Sequence, residues 1–256
     1  MVKGLYTAYT GMINQQNRMD IMTNNLANAA TTGYKKEGTT TQAFDEVLAY
    51  KIKDASAAYQ NLNIGSMSMG AKIGEAYTDY SQGSFEVTDN EYDVALDGKG
   101  FFSIAFTNKA GEASVKYTRD GSFTLNKEGY LVTKDGDYVL GKNGPIQLNT
   151  NLETRVDSLG NIYQDNVLTD AFRIVDFDDY NYLSKYGENL YDMLDGGTAM
   201  PADCKVQQGA LETSNINVVS EMVNMIAITR NYESNQKIIQ SIDGTLDKAV
   251  NQVGKI

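Results

Sequence analysis

The stretch YTRDGSFTLNKEGYLVTKDGDYVLGKNGPI, residues 117–146, carries four turn signals at nearly regular spacing. An acidic or amide residue directly precedes each of Gly121, Gly129, Gly136 and Gly144. Apolar residues separated by one position lie between these turns: Phe123 and Leu125, Tyr130 and Val132, Tyr138 and Leu140. Such alternation between tight turns is typical of short antiparallel strands. The stretch therefore predicts an all-β region in the middle of the chain.

Further strand candidates flank this stretch on both sides. They cover residues 83–88, 92–96, 101–106, 153–157, 161–164 and 171–176. We assign the central β domain to residues 76–205. Residues 33–75 precede it with a possible short helix at 42–54, followed by a segment of low charge without a sustained period. We predict an extended, partly looped connector there.

The N-terminal segment, residues 1–32, is predicted to form a long helix over residues 2–28. A stripe with alternating spacings of four and three residues runs along it, which is the repeat of a helix that packs on another helix. Its members are Leu5, Tyr9, Met12, Gln16, Met19, Thr23 and Leu26. At the end of this helix, Asn28 suits the last turn, and Gly33 can adopt the left-handed conformation that turns the chain.

The C-terminal segment, residues 206–256, repeats this pattern over a greater length, and Ser214 or Asn215 can cap the predicted helix. The stripe consists of Val218, Met222, Met225, Thr229, Tyr232, Gln236, Ile239, Asp243, Leu246, Val250 and Val253. Its polar members Thr229, Gln236 and Asp243 are seven residues apart. They either fix the register of the helix contact or lie where that contact meets solvent.

These elements predict an α+β protein in which two long terminal helices pair as a coiled coil, with a β domain and a connector between them. Apolar residues also lie outside the stripes, namely Ile13, Ile21, Val219, Val223, Ile226 and Ile242. Two helices alone leave such faces uncovered. A head-to-tail contact that does not close by rotation would cover them and build a helical filament. A closed four-helix arrangement would cover them equally well.

Composition argues against several functions. The 256 residues carry a formal net charge of −11, which disfavours binding to nucleic acid. There is no histidine, and Cys204 is the only cysteine, so imidazole-based triads and cysteine-based zinc sites are excluded. The sequence contains no run of 18 apolar residues, so it does not predict a membrane-spanning helix. The first residues lack the apolar core of a cleaved signal peptide. We expect no cofactor.

Two acidic segments were considered as metal or acid/base sites. VTDNEYD, residues 87–93, lacks the glycine that a calcium loop needs at its sixth position, because Val94 stands there. IVDFDDY, residues 174–180, resembles a solvated turn. We therefore predict no metal site and no catalytic residues. The competing hypothesis is a surface carbohydrate-binding or hydrolytic β domain with helical arms, which would use Asp89, Asp93, Asp176 and Asp178.

Three segments resemble the bacterial flagellar rod and hook family. NNLANAATTGYKK, residues 24–36, is similar to its N-terminal signature through Leu26-Ala-Asn28 and Thr31-x-Gly-Tyr-Lys35. LETSNINVVSEMVNMIAITRNYESNQKII, residues 211–239, is similar to its C-terminal signature, and ALDGKGFFSI, residues 95–104, to its central part. The length and the segment 65–85 resemble the distal rod protein most closely. A proximal rod or hook paralogue is the alternative within the family.

The resemblance implies a structural subunit of the flagellar rod, located in the basal body, that transmits torque from the motor to the hook. It implies paired terminal helices lining a tube, a β domain facing outward, and export in an unfolded state by the flagellar type III apparatus without a cleaved signal peptide. The implied partners are copies of the chain and other rod and hook proteins. The expected assembly residues are Leu5, Met12, Met19, Leu26, Asn28, Gly33, Met222, Met225, Tyr232, Ile239 and Leu246.

Overall fold

A computed structural model describes residues 2–51, 62–108, 111–187 and 189–253. The chain divides into two compact units, each built from separate stretches of sequence. The first, here called the helical unit, comprises Met1–Ala27, Glu37–Asp79 and Asn217–Ile256. The second, the β unit, comprises Asn28–Lys36 and Tyr80–Ile216. The fold is α+β, with long helices near both ends of the sequence and a many-stranded sheet from its middle.

Two long helices dominate the helical unit, as predicted. Helix α1 spans Val2–Ala27, and helix α2 spans Val218–Lys248 and continues as a π-helical turn over Ala249–Val253. The predicted caps of α2 were wrong. Asn217 is the N-cap, because its backbone is extended and its side-chain oxygen accepts a hydrogen bond from the Ser220 N–H at 3.0 Å. Neither helix, over its described residues, has an apolar stretch that could cross a bilayer.

The two helices contact one another and run in opposite directions. A Cβ atom on Gly4 would lie 3.7 Å from Ile242 Cδ1, and one on Gly11 would lie 3.1 Å from Asn235 Nδ2. The contact at Gly11 is tight, so a side chain there would displace Asn235, whereas the distance at Gly4 is an ordinary van der Waals contact.

The less exposed face of each helix follows the predicted spacing for only half of its positions. In α1 it contains Leu5, Ala8, Met12, Gln15, Met19, Met22 and Leu26, while a second covered face, beside the ribbon, contains Thr10, Asn14 and Asn25. In α2 it contains Glu221, Met225, Ile228, Tyr232, Asn235, Ile239, Ile242 and Leu246. One half of each predicted stripe is therefore correct. The other half is displaced by one residue, so that Ala8 replaces Tyr9 and Ile228 replaces Thr229.

Exposure of the displaced residues shows why the face moved. Tyr9 is 51% exposed and Met222 is 48% exposed. Gln236 and Asp243 are also exposed, which agrees with their interpretation as solvent-facing, whereas Thr229 is half-buried and its hydroxyl donates to the Met225 carbonyl oxygen at 2.9 Å. Contact positions that repeat every seven residues are compatible with two stripes, because the residue between them can follow after either three or four positions. The small Ala8 and the apolar Ile228 and Ile242 decide the side here, since they bury better than Tyr9, Thr229 and Asp243.

The predicted connector is a pair of two-stranded antiparallel ladders. Strand β1 (Glu37–Ala43) pairs with β4 (Ala71–Thr78), and β2 (Glu46–Lys51) pairs with β3 (Leu62–Ser68). We call these four strands the ribbon. The possible helix at 42–54 is wrong for its described part, up to Lys51, since pairing with β3 and β4 holds these residues extended. The rest of that range lies outside the described residues.

Short strands make up the β unit. They are β5 Phe85–Val87, β6 Val94–Gly98, β7 Phe101–Thr107, β8 Ala113–Thr118, β9 Thr124–Leu125, β10 Leu131–Val132, β11 Tyr138–Val139, β12 Thr154–Val156, β13 Asn161–Gln164, β14 Val167–Ala171, β15 Ile174–Phe177, β16 Leu183–Tyr186, β17 Leu190–Met193, β18 Ala199–Pro201, β19 Cys204–Gln208 and β20 Ala210–Glu212. A single 3₁₀ turn, Tyr180–Tyr182, was identified in the described part of this unit. Three of the flanking strand candidates, 83–88, 153–157 and 161–164, contain a whole strand. The other three overlap strands: 92–96 overlaps β6, 101–106 overlaps β7, and 171–176 meets the end of β14 and most of β15.

One large sheet organises these strands. Its order is β16-β17-β8-β7-β11-β10-β9, with β15 on β7 and β18 on β15. The strands β12-β13-β14 form a second sheet, and β6 pairs with β19 while β5 pairs with β20. Three of the four predicted turn glycines have positive φ: Gly129, Gly136 and Gly144. Gly121 is required for a different reason, because its Cβ would lie 1.6 Å from the carbonyl oxygen of Val94.

Two apolar clusters form the core of the β unit. The larger contains Val94, Leu96, Phe102, Phe123, Leu131, Val139, Ile146, Leu148, Ile162, Phe172 and Val206. The smaller contains Phe101, Tyr117, Val175, Phe177, Leu183 and Tyr191. Residues of the opening stretch, 117–146, contribute to both clusters. The alternation predicted the buried side correctly at Phe123 but not around the next two turns, where Leu131 and Val139 enter the core and Tyr138 is 37% exposed.

Candidate assembly surfaces

The N-terminal signature ends inside the β unit, where Gly33 turns the chain. Gly33 has φ of +67°, so the predicted left-handed conformation is confirmed. Its N–H donates to the Glu212 carbonyl oxygen at 2.7 Å, which joins the signature to strand β20. A Cβ on Gly33 would lie 2.5 Å from the backbone nitrogen of Asp120. Glycine is therefore required both for the backbone angle and for the close approach.

A buried ion-pair network lies directly after this turn. The Lys35 ammonium lies 2.6 Å from Glu212 Oε1, and Arg119 Nε lies 2.8 Å from Glu212 Oε2. The side chains of Lys35 and Glu212 are 1% exposed, and that of Arg119 is 4% exposed. Lys35 also donates to the Ser81 carbonyl oxygen at 2.8 Å. We call Lys35, Glu212 and Arg119 the junction triad.

Hydrogen bonds to neighbouring backbone groups support the junction triad further. The Gly83 N–H donates to Glu212 Oε1 at 2.9 Å, and the Arg119 guanidinium donates to the carbonyl oxygens of Gly98 and Gly100. Buried charges are stable only when they are paired and hydrogen-bonded in this way. Each of these groups already serves a neighbour within the chain. The triad is thus suited to holding distant stretches of chain together and not to acid/base chemistry.

The remaining signature residues are fixed to the same unit. The Thr32 hydroxyl donates to Asp120 Oδ1 at 2.8 Å, and the Thr32 carbonyl oxygen accepts from Asn189 Nδ2 at 2.6 Å. Tyr34 is 1% exposed, and the Lys185 ammonium lies 4.0 Å from the centroid of its ring. The signature therefore fixes the path of the chain just after α1. Sequence reasoning identified it but did not identify Glu212 and Arg119 as its partners.

The predicted assembly residues fall into three groups. Leu5, Met12, Met19, Leu26, Met225, Tyr232, Ile239 and Leu246 are half-buried and lie on the less exposed faces of α1 and α2. Met222 is exposed and lies off that face. Asn28 and Gly33 lie in the β unit, where the Asn28 carbonyl oxygen accepts from the Thr31 N–H at 3.1 Å. The first group is thus engaged within one chain, whereas Met222 is available to another molecule.

Each helix also presents an exposed apolar stripe. The α2 stripe contains Val219, Met222, Val223 and Ile226, which are 72%, 48%, 61% and 54% exposed. The α1 stripe contains Tyr6, Tyr9 and Ile13, which are 45%, 51% and 38% exposed. Large exposed apolar side chains at helical spacing indicate a surface for association. The sequence predicted Val219, Val223 and Ile226 as apolar residues outside the helix contact. It assigned Met222 and Tyr9 to the helix contact instead.

The acidic segments serve local structure. Asp176 accepts hydrogen bonds from the Tyr180 hydroxyl and the Phe177 N–H, both at 2.8 Å. Burial, together with the bond to Asp176, raises the pKa of Tyr180 well above its usual value. Asp93 accepts from the Thr88 hydroxyl at 2.6 Å. Among the described residues, no three potential metal-binding side chains of His, Cys, Asp or Glu cluster together.

Comparison with known proteins matches these features along the chain. Residues 5–35 match the family "Flagella basal body rod protein", residues 95–164 match "Flagellar hook protein FlgE/F/G D1 domain", and residues 207–253 match "Flagellar basal body rod FlgEFG protein C-terminal". The chain is 33% identical to the flagellar basal-body rod protein FlgG of Bacillus subtilis, over 98% of this chain and 99% of that protein. This chain belongs to the flagellar basal-body rod protein family.

Other relatives in the family are similar at nearly the same level. The chain is 32% identical to the rod protein FlgF of Caulobacter vibrioides and 31% identical to the hook-basal body complex protein FlhO of Bacillus subtilis, over the full length of both partners in each case. The rod protein is thus a structural subunit of the flagellar basal body, in a family of structural proteins and not of enzymes. This outcome favours the rod hypothesis over a carbohydrate-binding or hydrolytic β domain.

The family matches agree with the positions of the junction triad. Lys35 closes the N-terminal match, Arg119 lies within the central one, and Glu212 lies within the C-terminal one. Three separately matched segments therefore supply one charge each to the same buried network. A pattern search along the sequence finds each segment but not the contact between them, because their separation along the chain is up to 177 residues.

Proposed function

We propose that this rod protein assembles with copies of itself into a helical tubular filament that transmits torque from the motor to the hook. The exposed α2 stripe is the observation that supports this proposal most strongly. An apolar surface of this kind is costly in water and gains free energy when another molecule covers it. A stripe that meets a different surface on the next copy gives a contact that repeats without closing, as a filament needs.

The roles of the elements follow from this proposal. Helices α1 and α2 pair as a coiled coil and line the tube, while the β domain faces outward. Residues 1–32 and 206–256 form the axial part, residues 33–75 form the connector, and residues 76–205 form the outer domain. Met222 acts between copies. Leu5, Met12, Met19, Leu26, Met225, Tyr232, Ile239 and Leu246 support the helix pair from within, and Asn28 and Gly33 fix the exit of α1.

We place this subunit in the distal rod. The resemblance of its length and of the segment 65–85 supports this position, and a proximal rod position is the competing proposal. The remaining partners are other rod and hook proteins and the flagellar type III export apparatus, which would move the chain unfolded and without a cleaved signal peptide. Antibody labelling of a tagged subunit along isolated basal bodies would separate the two positions. Label next to the hook supports the distal proposal, and label next to the motor contradicts it.

The assembly proposal is tested by placing a charge on the α2 stripe. The gene is deleted in its own bacterium and replaced by the wild type, by Val223→Asp or by Val167→Asp. Val167 is a matched control, since it is a valine that is 66% exposed in the β unit, compared with 61% for Val223. We expect wild type and Val167→Asp to restore rods and swimming. Val223→Asp should be exported but fail to assemble, because a buried unpaired carboxylate opposes the contact.

Two outcomes would contradict the assembly proposal. One is a deletion strain that still builds complete rods and swims, since the subunit would then be dispensable for the structure. The other is normal incorporation of Val223→Asp into isolated basal bodies, which would show that the α2 stripe is not covered. Circular dichroism of the purified variants checks that both retain the wild-type fold.

A further inference from the structure

A groove in the helical unit lies between α1 and the ribbon. Tyr9, Ile13 and Asn17 line one side at spacings of four residues along α1, and Phe44, Lys72 and Ile73 line the other. Thr10, Asn14 and Ala71 complete the lining, and the volume is about 270 Å³. A drug-sized ligand commonly occupies about 300–1,000 Å³ of concave space, so this groove is better suited to a few side chains.

One polar group in the groove lacks a partner. Asn14 is 3% exposed, and its Nδ2 has no hydrogen-bond acceptor among the described residues. Its Oδ1 accepts only a long bond, 3.5 Å, from the Thr41 hydroxyl. A buried amide donor without an acceptor costs free energy, and such groups usually find a partner. The groove thus combines an apolar lining with an unmet demand for an acceptor, which is the character of an incomplete contact.

We infer that the groove receives the α2 stripe of a second copy of this chain. Val219, Met222, Val223 and Ile226 stand at positions i, i+3, i+4 and i+7, which is the spacing by which an amphipathic helix enters an apolar groove. This inference rests on the proposed function and specifies its contact. The α2 helix of the same chain cannot fill the groove with this stripe, because it packs on α1 through Met225, Ile228 and Tyr232.

The geometry of α2 supports an occupant from another molecule. With 3.6 residues per turn, the stripe lies on roughly the opposite side of α2 from Met225 and Ile228. One helix can therefore contact α1 of its own chain and the groove of a neighbour at the same time. Groove and stripe are different surfaces, so the contact is head-to-tail and repeats from copy to copy.

One opposite-charge pair is available between the two surfaces. Lys72 is exposed and lines the groove. Glu233 is exposed and lies seven residues beyond Ile226, which places it on the same side of α2. A carboxylate there can accept from a groove donor such as Lys72 or Asn14. Arg230 and Lys237 are also exposed on this side of α2, so the continuation of the stripe carries both signs of charge.

Cysteine cross-linking in isolated basal bodies tests the inference. In a Cys204→Ser background, Ile13→Cys on the groove is combined with Ile226→Cys on the stripe, and a mild oxidant is added. A disulfide requires Cα atoms within about 7 Å, so it reports direct contact. We expect a ladder of dimers and larger species. The matched control combines Ile13→Cys with Asn224→Cys, which is exposed on the same turn of α2 but off the stripe, and should yield no ladder.

The outcomes separate the inference from the proposed function. Subunits present in basal bodies without a ladder from Ile13→Cys and Ile226→Cys, or with an equal ladder from the control, overturn the inference and leave the filament proposal intact. Absence of the wild-type chain from basal bodies contradicts the filament proposal itself. If the variant with Ile13→Cys and Ile226→Cys is not incorporated into basal bodies, the variant with Tyr9→Cys and Met222→Cys probes the same contact. A ladder from that pair supports the inference, and its absence overturns it.

Discussion

At the scale of single residues, the junction triad explains why the N-terminal signature needs its particular polar residues. The buried Lys35 ammonium has Glu212 as its counter-charge, and the same carboxylate pairs with Arg119. Removing Glu212 leaves Lys35 and Arg119 charged, buried and unpaired, which costs more than the original pairing contributed. The family resemblance marked Lys35 within the N-terminal signature. Its partners could not be predicted, since no spacing rule relates residues 35, 119 and 212.

Glu212→Gln should therefore destabilise the β unit strongly. The neutral amide keeps the shape but leaves Lys35 and Arg119 without a buried counter-charge, so we expect a loss of about 3–5 kcal/mol in the free energy of unfolding. Urea unfolding followed by tyrosine fluorescence measures it. Glu86→Gln is the control, because Glu86 is exposed on the neighbouring strand β5 and should change stability by no more than about 0.5 kcal/mol. Equal stability of the two variants would contradict the role of the triad.

Asp137 offers a test with a defined pH dependence. Burial, and after it the charge of Asp135, raises the pKa of the Asp137 carboxyl above its usual value of 3.8. The folded state therefore holds this proton to higher pH than the unfolded state does. The contribution of Asp137 to stability falls as the pH rises from 3.8 through the folded-state pKa, and it is unfavourable at neutral pH.

Asp137→Asn should then be more stable than the wild type at pH 7, and this difference should vanish below pH 3.8, where both side chains are neutral. The amide oxygen can still accept the bond from the Thr107 backbone. Thermal unfolding at the two pH values provides the measurement. Asp195→Asn, on an exposed turn, controls for removing one negative charge. A difference of the same size at both pH values would show that the carboxyl charge is not the cause.

At the scale of elements, the sequence predicted the helices and most strands but not the ribbon. Long periodic stripes and Asp-Gly or Asn-Gly turns are strong local signals, and α1, α2 and the turns at Gly129, Gly136 and Gly144 follow them. Residues 42–51 carry no such signal. Their strand conformation depends on partners later in the chain, from Lys51 with Leu62 to Gln42 with Lys72. Short apolar runs are ambiguous between helix and strand, and pairing decides between them.

The contact face of the helices was predicted to within one residue. Both stripes were right at every second position, such as Met12, Met19, Met225 and Ile239, and displaced by one residue at the alternate positions. Small residues contribute to the choice of side: Ala8 is buried, and Gly11 lies close to Asn235 of α2. A stripe defined by large apolar residues leaves out glycine and alanine, which explains why the predicted stripe was displaced by one residue.

Substitution of Gly11 tests this steric explanation. Gly11→Leu should separate α1 from α2 and lower the helical circular dichroism signal, since a Cβ at Gly11 already lies 3.1 Å from Asn235 Nδ2. Gly244 in α2 has no described heavy atom within 4 Å of its Cβ position. Gly244→Ala should stabilise α2 by about 0.5–1 kcal/mol, because alanine favours a helix over glycine. Equal responses at the two positions would contradict a close contact at Gly11.

At the scale of the whole molecule, the two units differ in how they are stabilised. The β unit has two apolar clusters and the buried junction triad. The helical unit contains the ribbon, which consists of two separate two-stranded ladders, and helices with exposed apolar stripes. A two-stranded ladder is marginally stable by itself, and helices with uncovered apolar faces gain stability from partners. The helical unit should thus depend on assembly more than the β unit does.

Limited proteolysis of the monomer should show this difference. We expect early cleavage within residues 2–27, 37–79 and 217–253, and a resistant fragment close to residues 80–216. Mass spectrometry identifies the fragments. The assembled filament, treated in the same way, should be protected in the helical unit. Uniform resistance of the monomer from end to end would contradict this account.

The central claim, assembly through the helices, is tested most directly by a helical reconstruction of the rod built from this subunit, by electron cryo-microscopy. The account predicts that α1 and α2 line the inner wall and that Val219, Met222, Val223 and Ile226 of each copy contact a neighbouring copy. A reconstruction in which the β unit lines the inner wall, or in which these four side chains face solvent, would contradict it.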